Sequence, residues 1–223
     1  MTLDAPIQLH TDRLLIRDFT ADDLDGMHAI TGDPEVTKWL SFDTRTREST
    51  ADMLDGILSR QQDHPRSDYY FAITLETGGP DLIGFVRLGL GGVKAADLGY
   101  TIATAHQRQG YAAESATAMI DFAFDKLGLH RLTANIGPVN TASIRLIQSL
   151  GFSYEGTIRD HVFTNGAWRD SRSYSLLSHE WASAPRCEYC NRRIPPRTTG
   201  GRTPKFCSTA HRQAAYRARQ RDE

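Results

Sequence analysis

Segment 107–112 has the composition of an anion-binding turn, in the order Gln107, Arg108, Gln109, Gly110, Tyr111 and Ala112. It lies between a predicted strand over residues 97–103 and a predicted helix. The first amides of a helix have no intrahelical acceptor, and the helix dipole adds positive potential there. Gly110 lets an anion approach the backbone closely, and Arg108 adds a positive charge. The turn therefore fits a pyrophosphate, although an ordinary strand-to-helix connection explains this short pattern equally well.

A pair of polar residues, Asn140 and Ser143, opens a second predicted helix over residues 140–150. Residues three apart lie on the same side of a helix. The Asn140 amide offers both a donor and an acceptor, and the Ser143 hydroxyl can donate a hydrogen bond or a proton to a leaving group. The same residue types also form helix caps. The two interpretations are compatible, so both residues are candidate site residues.

All three cysteines of the chain lie close to its end, in a pattern typical of zinc modules. Cys187 and Cys190 are separated by two residues, and Cys207 is followed by His211 after three residues. Three thiolates and one imidazole suit a structural, tetrahedral zinc site. A disulfide framework needs an even number of cysteines in an exported chain, so metal is favoured. The alternative is a disordered basic tail with incidental cysteines. Without metal we expect this segment to be unfolded.

The charge of the chain is divided between its two parts. Residues 186–223 hold ten basic and three acidic side chains, whereas the rest of the chain holds 16 basic and 24 acidic ones. This asymmetry indicates a separate partner for the tail, either RNA or the acidic body of the same chain. A solvated face is the third interpretation. The candidate basic surface consists of Arg202, Lys205, Arg212, Tyr216, Arg217, Arg219 and Arg221.

The apolar pattern before the tail predicts alternating strands and helices. Strands are expected at 13–19, 69–75, 82–90, 97–103, 131–136, 152–163 and 171–177, and helices at about 20–31, 48–62 and 140–150. The helix after the turn carries apolar residues at helical spacing as far as Leu127 and ends at Gly128. Asn165 and Gly166 predict a hairpin. This order of elements predicts an α/β or α+β sandwich.

Three blocks of the sequence, taken in order, resemble the GNAT acetyltransferases. GYTIATAHQRQGYAAESATAMIDFAF is similar to the acyl-CoA-binding motif Q/R-x-x-G-x-G/A of that superfamily. LHTDRLLIRDFTADD resembles the start of its RimJ/RimL-like branch, and NTASIRLIQSLGFSYEG is similar to part of that branch's ending. Arg108 departs from the family pattern, which often has an aromatic residue or glycine there. We expect an acetyltransferase domain at 8–182, a linker at 183–186 and a zinc-binding basic tail at 187–223.

The resemblance implies a fold and a donor site. The fold is a mixed central sheet flanked by helices, in which acyl-CoA lies in a V-shaped opening between two parallel strands. Here these would be the strand that ends at Ala103 and the strand that ends near Ile136. Backbone groups of Ile102 and Ala103 would bind the pantetheine and polarise the thioester carbonyl. Asn140 would contact the pantetheine arm, and Ser143 would lie beside the departing thiol.

A base must also remove a proton from the acceptor ammonium, directly or through water. Asp97 stands where relatives often have glutamate, and Glu155 matches a glutamate of the family's EG pair. His10 and His161 are weaker candidates, and each of the four is also explained as a solvent-facing or ion-paired group. The body contains no cysteine that could act as a nucleophile, which favours direct transfer in a ternary complex.

The tail resembles small zinc modules with four cysteines, with His211 in place of the last one. We expect an N-acyltransferase that moves an acetyl or related acyl group from acyl-CoA to an amine of a small molecule or a protein N-terminus. Two alternatives stay open: a transferase that uses aminoacyl- or acyl-tRNA and grips it with the tail, and a non-catalytic nucleic-acid-binding regulator. No apolar run is long enough to span a membrane, and residues 1–8 carry no secretory pattern. We therefore expect a cytoplasmic monomer or homodimer without a membrane partner.

Overall fold

The computed structural model describes residues 6–79, 81–194, 204–207 and 209–220. The predictions that concern Arg202, Arg221 and the first five residues lie outside these ranges. No helix within them is long and apolar enough to cross a membrane.

One mixed sheet organises the fold. Its strands are β1 (Gln8–His10), β2 (Leu14–Asp18), β3 (Asp68–Leu75), β4 (Leu82–Leu90), β5 (Ala95–Ile102), β6 (Arg131–Ile136), β7 (Ser153–Thr164) and β8 (Ala167–Leu177). They lie in the spatial order β1-β2-β3-β4-β5-β6-β8-β7. Every neighbouring pair is antiparallel except β5 and β6, which run parallel. The predicted mixed sheet is therefore confirmed.

Helices cover both faces of this sheet. They are α1 (Leu24–Thr31), α2 (Pro34–Thr37), α3 (Arg47–Gln61), α4 (Tyr111–Asp121), α5 (Thr141–Ser149), α6 (Ser178–Ala182) and α7 (Thr209–Arg219). On one face, Met27 of α1 and Ile57 of α3 belong to a core cluster with Ala72. On the other face, Met119 of α4 and other helix residues form a larger core cluster with Phe71. Phe71 and Ala72 are neighbours on β3. They pack into different core clusters because successive strand residues point to opposite faces of the sheet.

The helix after the turn is shorter than predicted. It ends as an α-helix at Asp121 and continues as a wider π-helical turn over Phe122–Lys126. The Leu127 amide donates to the Phe122 carbonyl at 3.1 Å, a bond that spans five residues. Within this turn Phe122 and Ala123 are buried, whereas Phe124, which the regular helical spacing places on the apolar stripe, is only partly buried.

The last hairpin is longer than predicted. β8 begins at Ala167 and not at Ser171, and it pairs with β7 up to Thr164. Asn165 and Gly166 both have positive φ, 52° and 71°, as a tight hairpin turn requires. The two strands are therefore paired from the turn onwards. The sequence did not predict β1 or α2, which are too short to show a periodicity.

Candidate active site

The parallel strands β5 and β6 are paired only where they begin. Ala95 lies opposite Arg131, and Asp97 lies opposite Thr133. Within the described residues no pairing joins the two strands beyond that position, although β5 continues to Ile102. A wedge-shaped opening therefore separates them, with Asp97 at its closed end and segment 107–112 following β5 at its open end.

Alternate backbone groups of β5 point away from β4 and into this opening. The Ala103 amide donates to the Ile83 carbonyl of β4 at 2.9 Å. Because hydrogen-bonded positions alternate along an antiparallel pair, the amides and carbonyls of Ile102 and Tyr100 point the other way, towards β6. Backbone groups of both Ile102 and Ala103 were expected to bind the donor, but the Ala103 amide is already hydrogen-bonded to β4. The sequence reasoning missed Tyr100, which the two-residue period of a strand places on the same edge as Ile102.

The turn has the backbone shape of an anion site. Arg108 and Gly110 have positive φ, 61° and 84°. Alternation of backbone hand over successive residues makes neighbouring amides converge on one side, as in anion-binding nests. Among the described residues, the backbone amides of Arg108, Gln109 and Gly110 have no hydrogen-bond acceptor. α4 begins immediately afterwards at Tyr111, so its positive end lies at the same place.

Three side chains hold this turn. Gln107 Nε2 donates to the Ile102 carbonyl at 3.1 Å, which ties the turn to the end of β5. Arg13 donates to the Gln109 carbonyl at 2.9 Å and to the Glu114 carboxylate of α4 at 2.7 Å. The sequence predicted Gln107 but missed Arg13 and Glu114. Arg13 lies in the opening block TDRLLIRDF, whose resemblance to the RimJ/RimL-like branch does not by itself assign it a role.

Asn140 and Ser143 lie together at the start of α5. Asn140 Oδ1 accepts a hydrogen bond from the Ser143 amide at 3.1 Å, so the cap is real. Asn140 Nδ2 and the Ser143 hydroxyl have no partner among the described residues. The Tyr100 hydroxyl lies 3.4 Å from the Ser143 carbonyl, which places α5 beside β5. Burial raises the pKa of Tyr100 to about 12, so this phenol stays protonated.

Asp97 lies at the closed end of the opening. Its carboxylate accepts hydrogen bonds from the Thr133 hydroxyl at 3.0 Å and from Asn135 Nδ2 at 2.9 Å. Burial raises the pKa of Asp97, while these bonds and the charges of Arg87 and His161 offset part of the shift. A carboxylate with a raised pKa is a stronger base. The sequence reasoning missed Thr133 and Asn135, although both alternate with apolar residues along β6.

Glu155 lies on β7, away from the opening. Its carboxylate forms an ion pair with Arg131 and accepts a hydrogen bond from the Ser175 hydroxyl at 2.8 Å. The Arg131 hydrogen bond lowers the pKa of Glu155. Arg131 is the first residue of β6, behind the closed end of the wedge. His10 pairs with Glu76 at 3.1 Å on the edge strand β1, so the structure brings neither Glu155 nor His10 to the opening.

The cysteines and His211 of the tail form a second candidate site. The ligand atoms of Cys187, Cys190, Cys207 and His211 all lie within 4.8 Å of one another. The sulfurs of Cys190 and Cys207 are 3.6 Å apart, close to the roughly 3.8 Å between two thiolates of a tetrahedral zinc site. His211 Nδ1 lies 2.8 Å from Cys207 Sγ, and its Nε2 lies 3.1 Å from Asp12. The donor set and its clustering fit a zinc ion.

Basic residues of the tail contact acidic residues of the body. Arg192 pairs with Asp12 at 2.9 Å. Arg193, which is largely buried, pairs with Asp121 at 2.9 Å and with Asp125 at 2.6 Å. These contacts agree with one of the three interpretations of the basic tail, in which the tail docks on the acidic remainder of the chain.

The predicted basic surface divides into two sets. Lys205 and Arg219 pair with Glu188 inside the tail, at 2.9 and 3.4 Å. The other described members are exposed and make no ion pair with a described residue: Arg212, Tyr216 and Arg217. This exposed set stays available to another partner.

Comparison with known proteins identifies the family. Residues 13–153 match the family model described as an acetyltransferase (GNAT) domain. The chain is 31% identical over 176 residues to the uncharacterized N-acetyltransferase p20 of Bacillus licheniformis, which covers 78% of this chain and 98% of that protein. The chain belongs to the GNAT acetyltransferase family. This GNAT protein is thus an N-acyltransferase, and its matched region ends before the Cys3His cluster.

Two further comparisons agree with this assignment. The GNAT chain is 32% identical over 118 residues to the ribosomal protein uS5-alanine N-acetyltransferase of Escherichia coli, covering 52% of this chain and 60% of that protein. It also resembles a solved GNAT-family acetyltransferase from Bacillus anthracis, with a TM-score of 0.67 and 25% identity, covering 78% of this chain and 100% of that one. GNAT enzymes take an acyl group from acyl-CoA and transfer it to an amine.

Proposed function

We propose that this chain transfers an acetyl or related acyl group from acyl-CoA directly to an amine, without an acyl-enzyme. One observation carries the proposal: the wedge between β5 and β6 has an anion-binding turn at its open end and a raised-pKa carboxylate, Asp97, at its closed end. The three cysteines all lie in the tail, so the body has no thiol nucleophile.

The donor would bind along β5. Its pyrophosphate would accept hydrogen bonds from the amides of residues 108–110 and lie at the start of α4. Ala112 leaves room for it, and Arg108 adds charge. The pantetheine would run into the wedge, where the Ile102 amide and Asn140 Nδ2 face it.

The thioester would lie between Asp97 and Ile102. Ile102 is five positions after Asp97, which is about 16 Å along a strand. The Tyr100 amide lies between these two residues, on the same strand edge as the Ile102 amide. We place the thioester carbonyl at the Tyr100 amide, whose N–H would stabilise the developing oxyanion. The amine attacks the carbonyl carbon and the C–S bond breaks. The Ser143 hydroxyl donates a hydrogen bond to the departing thiolate, which takes up the proton that the attacking nitrogen loses.

Asp97 is the base that the contacts favour. It would accept the proton of the acceptor ammonium through water, because roughly 10 Å of strand separates it from Tyr100. Burial favours its neutral form and so makes the carboxylate more basic, whereas Arg131 makes the Glu155 carboxylate less basic. Glu155 would instead hold β6 and β7 together.

The acceptor in this proposal is a protein N-terminus, with a small-molecule amine as the alternative. The support is the relative named for acetylating an alanine of ribosomal protein uS5. RNA near such a substrate would meet the exposed Arg212, Tyr216 and Arg217 of α7. RNA as a partner stays a prediction.

Residues 187–223 would form a module around a structural zinc ion, joined to the acetyltransferase domain by residues 183–186. Cys187, Cys190, Cys207 and His211 would hold the ion, which supplies folding energy and no step of the reaction. The clustering of all four ligand atoms supports this proposal.

Calorimetry with CoA, followed by product mass spectrometry, tests the proposed function. The protein would be incubated with acetyl-CoA, a panel of small amines and peptides with different N-terminal residues. We expect CoA to bind and at least one amine to gain the mass of an acetyl group in place of a hydrogen. If CoA neither binds nor inhibits, the donor assignment is wrong. A parallel incubation with aminoacyl-tRNA in place of acetyl-CoA would show an acylated product only if tRNA supplies the acyl group instead.

A further inference from the structure

The loop between β1 and β2 contacts two different parts of the molecule. Its residues are Thr11, Asp12 and Arg13. Thr11 closes the loop, since its amide donates to the Leu14 carbonyl at 2.9 Å and its hydroxyl accepts from the Leu14 amide at 2.9 Å. Thr11 and Arg13 contact the helix and turn of the donor site, and Asp12 contacts the tail.

The donor side of the loop is held mainly by Glu114, in the first turn of α4. One carboxylate oxygen of Glu114 accepts from the Thr11 hydroxyl at 2.6 Å and from the Arg13 amide at 3.0 Å. The other accepts from Arg13 Nε at 2.7 Å. The Arg13 guanidinium also donates to the Gln109 carbonyl and lies 4.6 Å from the centre of the Tyr111 ring. The position of segment 107–112 therefore depends on this loop.

The tail side of the loop is the Asp12 carboxylate. One oxygen lies 2.9 Å from Arg192, and the other lies 3.1 Å from His211 Nε2. The opposite ring nitrogen of His211 faces Cys207 in the metal-binding cluster. A carboxylate on the outer nitrogen of a metal-binding histidine fixes the ring and strengthens the metal site.

We infer that Asp12 is a positioning residue that couples the zinc site to the acyl-CoA site. A bound zinc ion would fix the His211 ring, and His211 would then hold the Asp12 carboxylate. Through Thr11 and Arg13 the same loop would hold segment 107–112, which binds the pyrophosphate. The inference rests on the proposed function of both sites. Bound zinc should raise the affinity for CoA, and thermodynamic linkage requires CoA to raise the affinity for zinc by the same factor.

The test measures both affinities on the full chain. Calorimetry gives the CoA affinity of zinc-loaded and chelator-stripped protein, and chelator competition gives the zinc affinity with and without saturating CoA. We expect both to change by about fivefold or more, and by equal factors. Asp12→Asn should remove this coupling and weaken zinc binding by about tenfold. Asp12→Glu should restore part of both.

The matched control is Asp25→Asn, which removes an exposed carboxylate paired with Arg47 far from the loop. It should leave both affinities unchanged. If the CoA affinity is equal with and without zinc, the coupling is wrong, but the proposed zinc site and the proposed acyl-CoA site are unaffected. Failure to bind zinc overturns the zinc site together with the coupling, and failure to bind CoA overturns the donor site with it. If Asp12→Asn does not fold, the two wild-type affinities decide alone.

Discussion

Asp97 and Thr133 face each other at the last paired position of β5 and β6, and the Thr133 hydroxyl donates a hydrogen bond to the Asp97 carboxylate at 3.0 Å. The strands separate immediately beyond this pair. The residue proposed as the base is therefore fixed at the point where the opening closes. Its protonation should control the rate.

We expect the rate of acyl transfer to fall on the acid side as Asp97 becomes protonated. Because burial raises the pKa of Asp97, this acid limb lies at higher pH than an exposed aspartate would give. Thr133→Val removes a hydrogen bond that favours the charged carboxylate, so the limb should move to still higher pH. The measurement is kcat against pH for both proteins.

Thr157→Val is the control for that profile, because Thr157 is an exposed strand threonine whose hydroxyl contacts only Tyr154 among the described residues. It should leave the limb in place. Asp97→Asn should lower kcat by about a hundredfold. An acid limb that stays put or moves to lower pH in Thr133→Val contradicts the role of Asp97.

Ser143→Ala should lower turnover by about tenfold or more while CoA binding changes little, because the hydroxyl would act on the leaving thiolate. Steady-state kinetics and calorimetry with CoA measure the two effects separately. Ser149→Ala is the control on the same helix, since among the described residues its hydroxyl bonds only to the Leu146 carbonyl. Unchanged turnover in Ser143→Ala would remove Ser143 from the mechanism.

Gly110→Ala should weaken CoA binding by about tenfold or more, since a side chain at φ 84° strains the turn that holds the pyrophosphate. Gly128→Ala is a matched control, because Gly128 is also left-handed, at φ 64°, but follows the far end of the helix. Calorimetry compares the CoA affinities of the two variants under conditions in which both proteins are fully folded. Equal losses of affinity in both would show that the effect is strain alone.

The three thiols should be protected while zinc is bound. Ellman titration of the native protein should detect almost no reactive thiol, and addition of a chelator should expose all three, because the chain has no other cysteine. Metal analysis should give about one zinc per chain. Three thiols that react fully before chelation contradict the site.

The sequence predicted most elements because apolar spacing is local information. It also indicated the turn at Gly110, the cap at Asn140 and the cluster of three cysteines and His211, each of which has a short pattern. The opening between β5 and β6 was expected only from the family resemblance, because apolar spacing does not show which strands become neighbours or where they separate. The contact between Asp12 and His211 could not be predicted, because the two residues lie near opposite ends of the chain. Apolar spacing also predicted one regular helix as far as Leu127, whereas the α-helix ends at Asp121 and a π-helical turn follows.

The burial of Trp181 has a practical consequence. Its indole donates to Asp121 at 2.8 Å, and the same carboxylate oxygen accepts from Arg193 of the tail. The other two tryptophans, Trp39 and Trp168, are 44% and 61% exposed, whereas Trp181 is completely buried. Acrylamide would therefore quench their fluorescence and leave the emission of Trp181. That emission is a built-in optical signal of whether the tail is docked, and it needs no label.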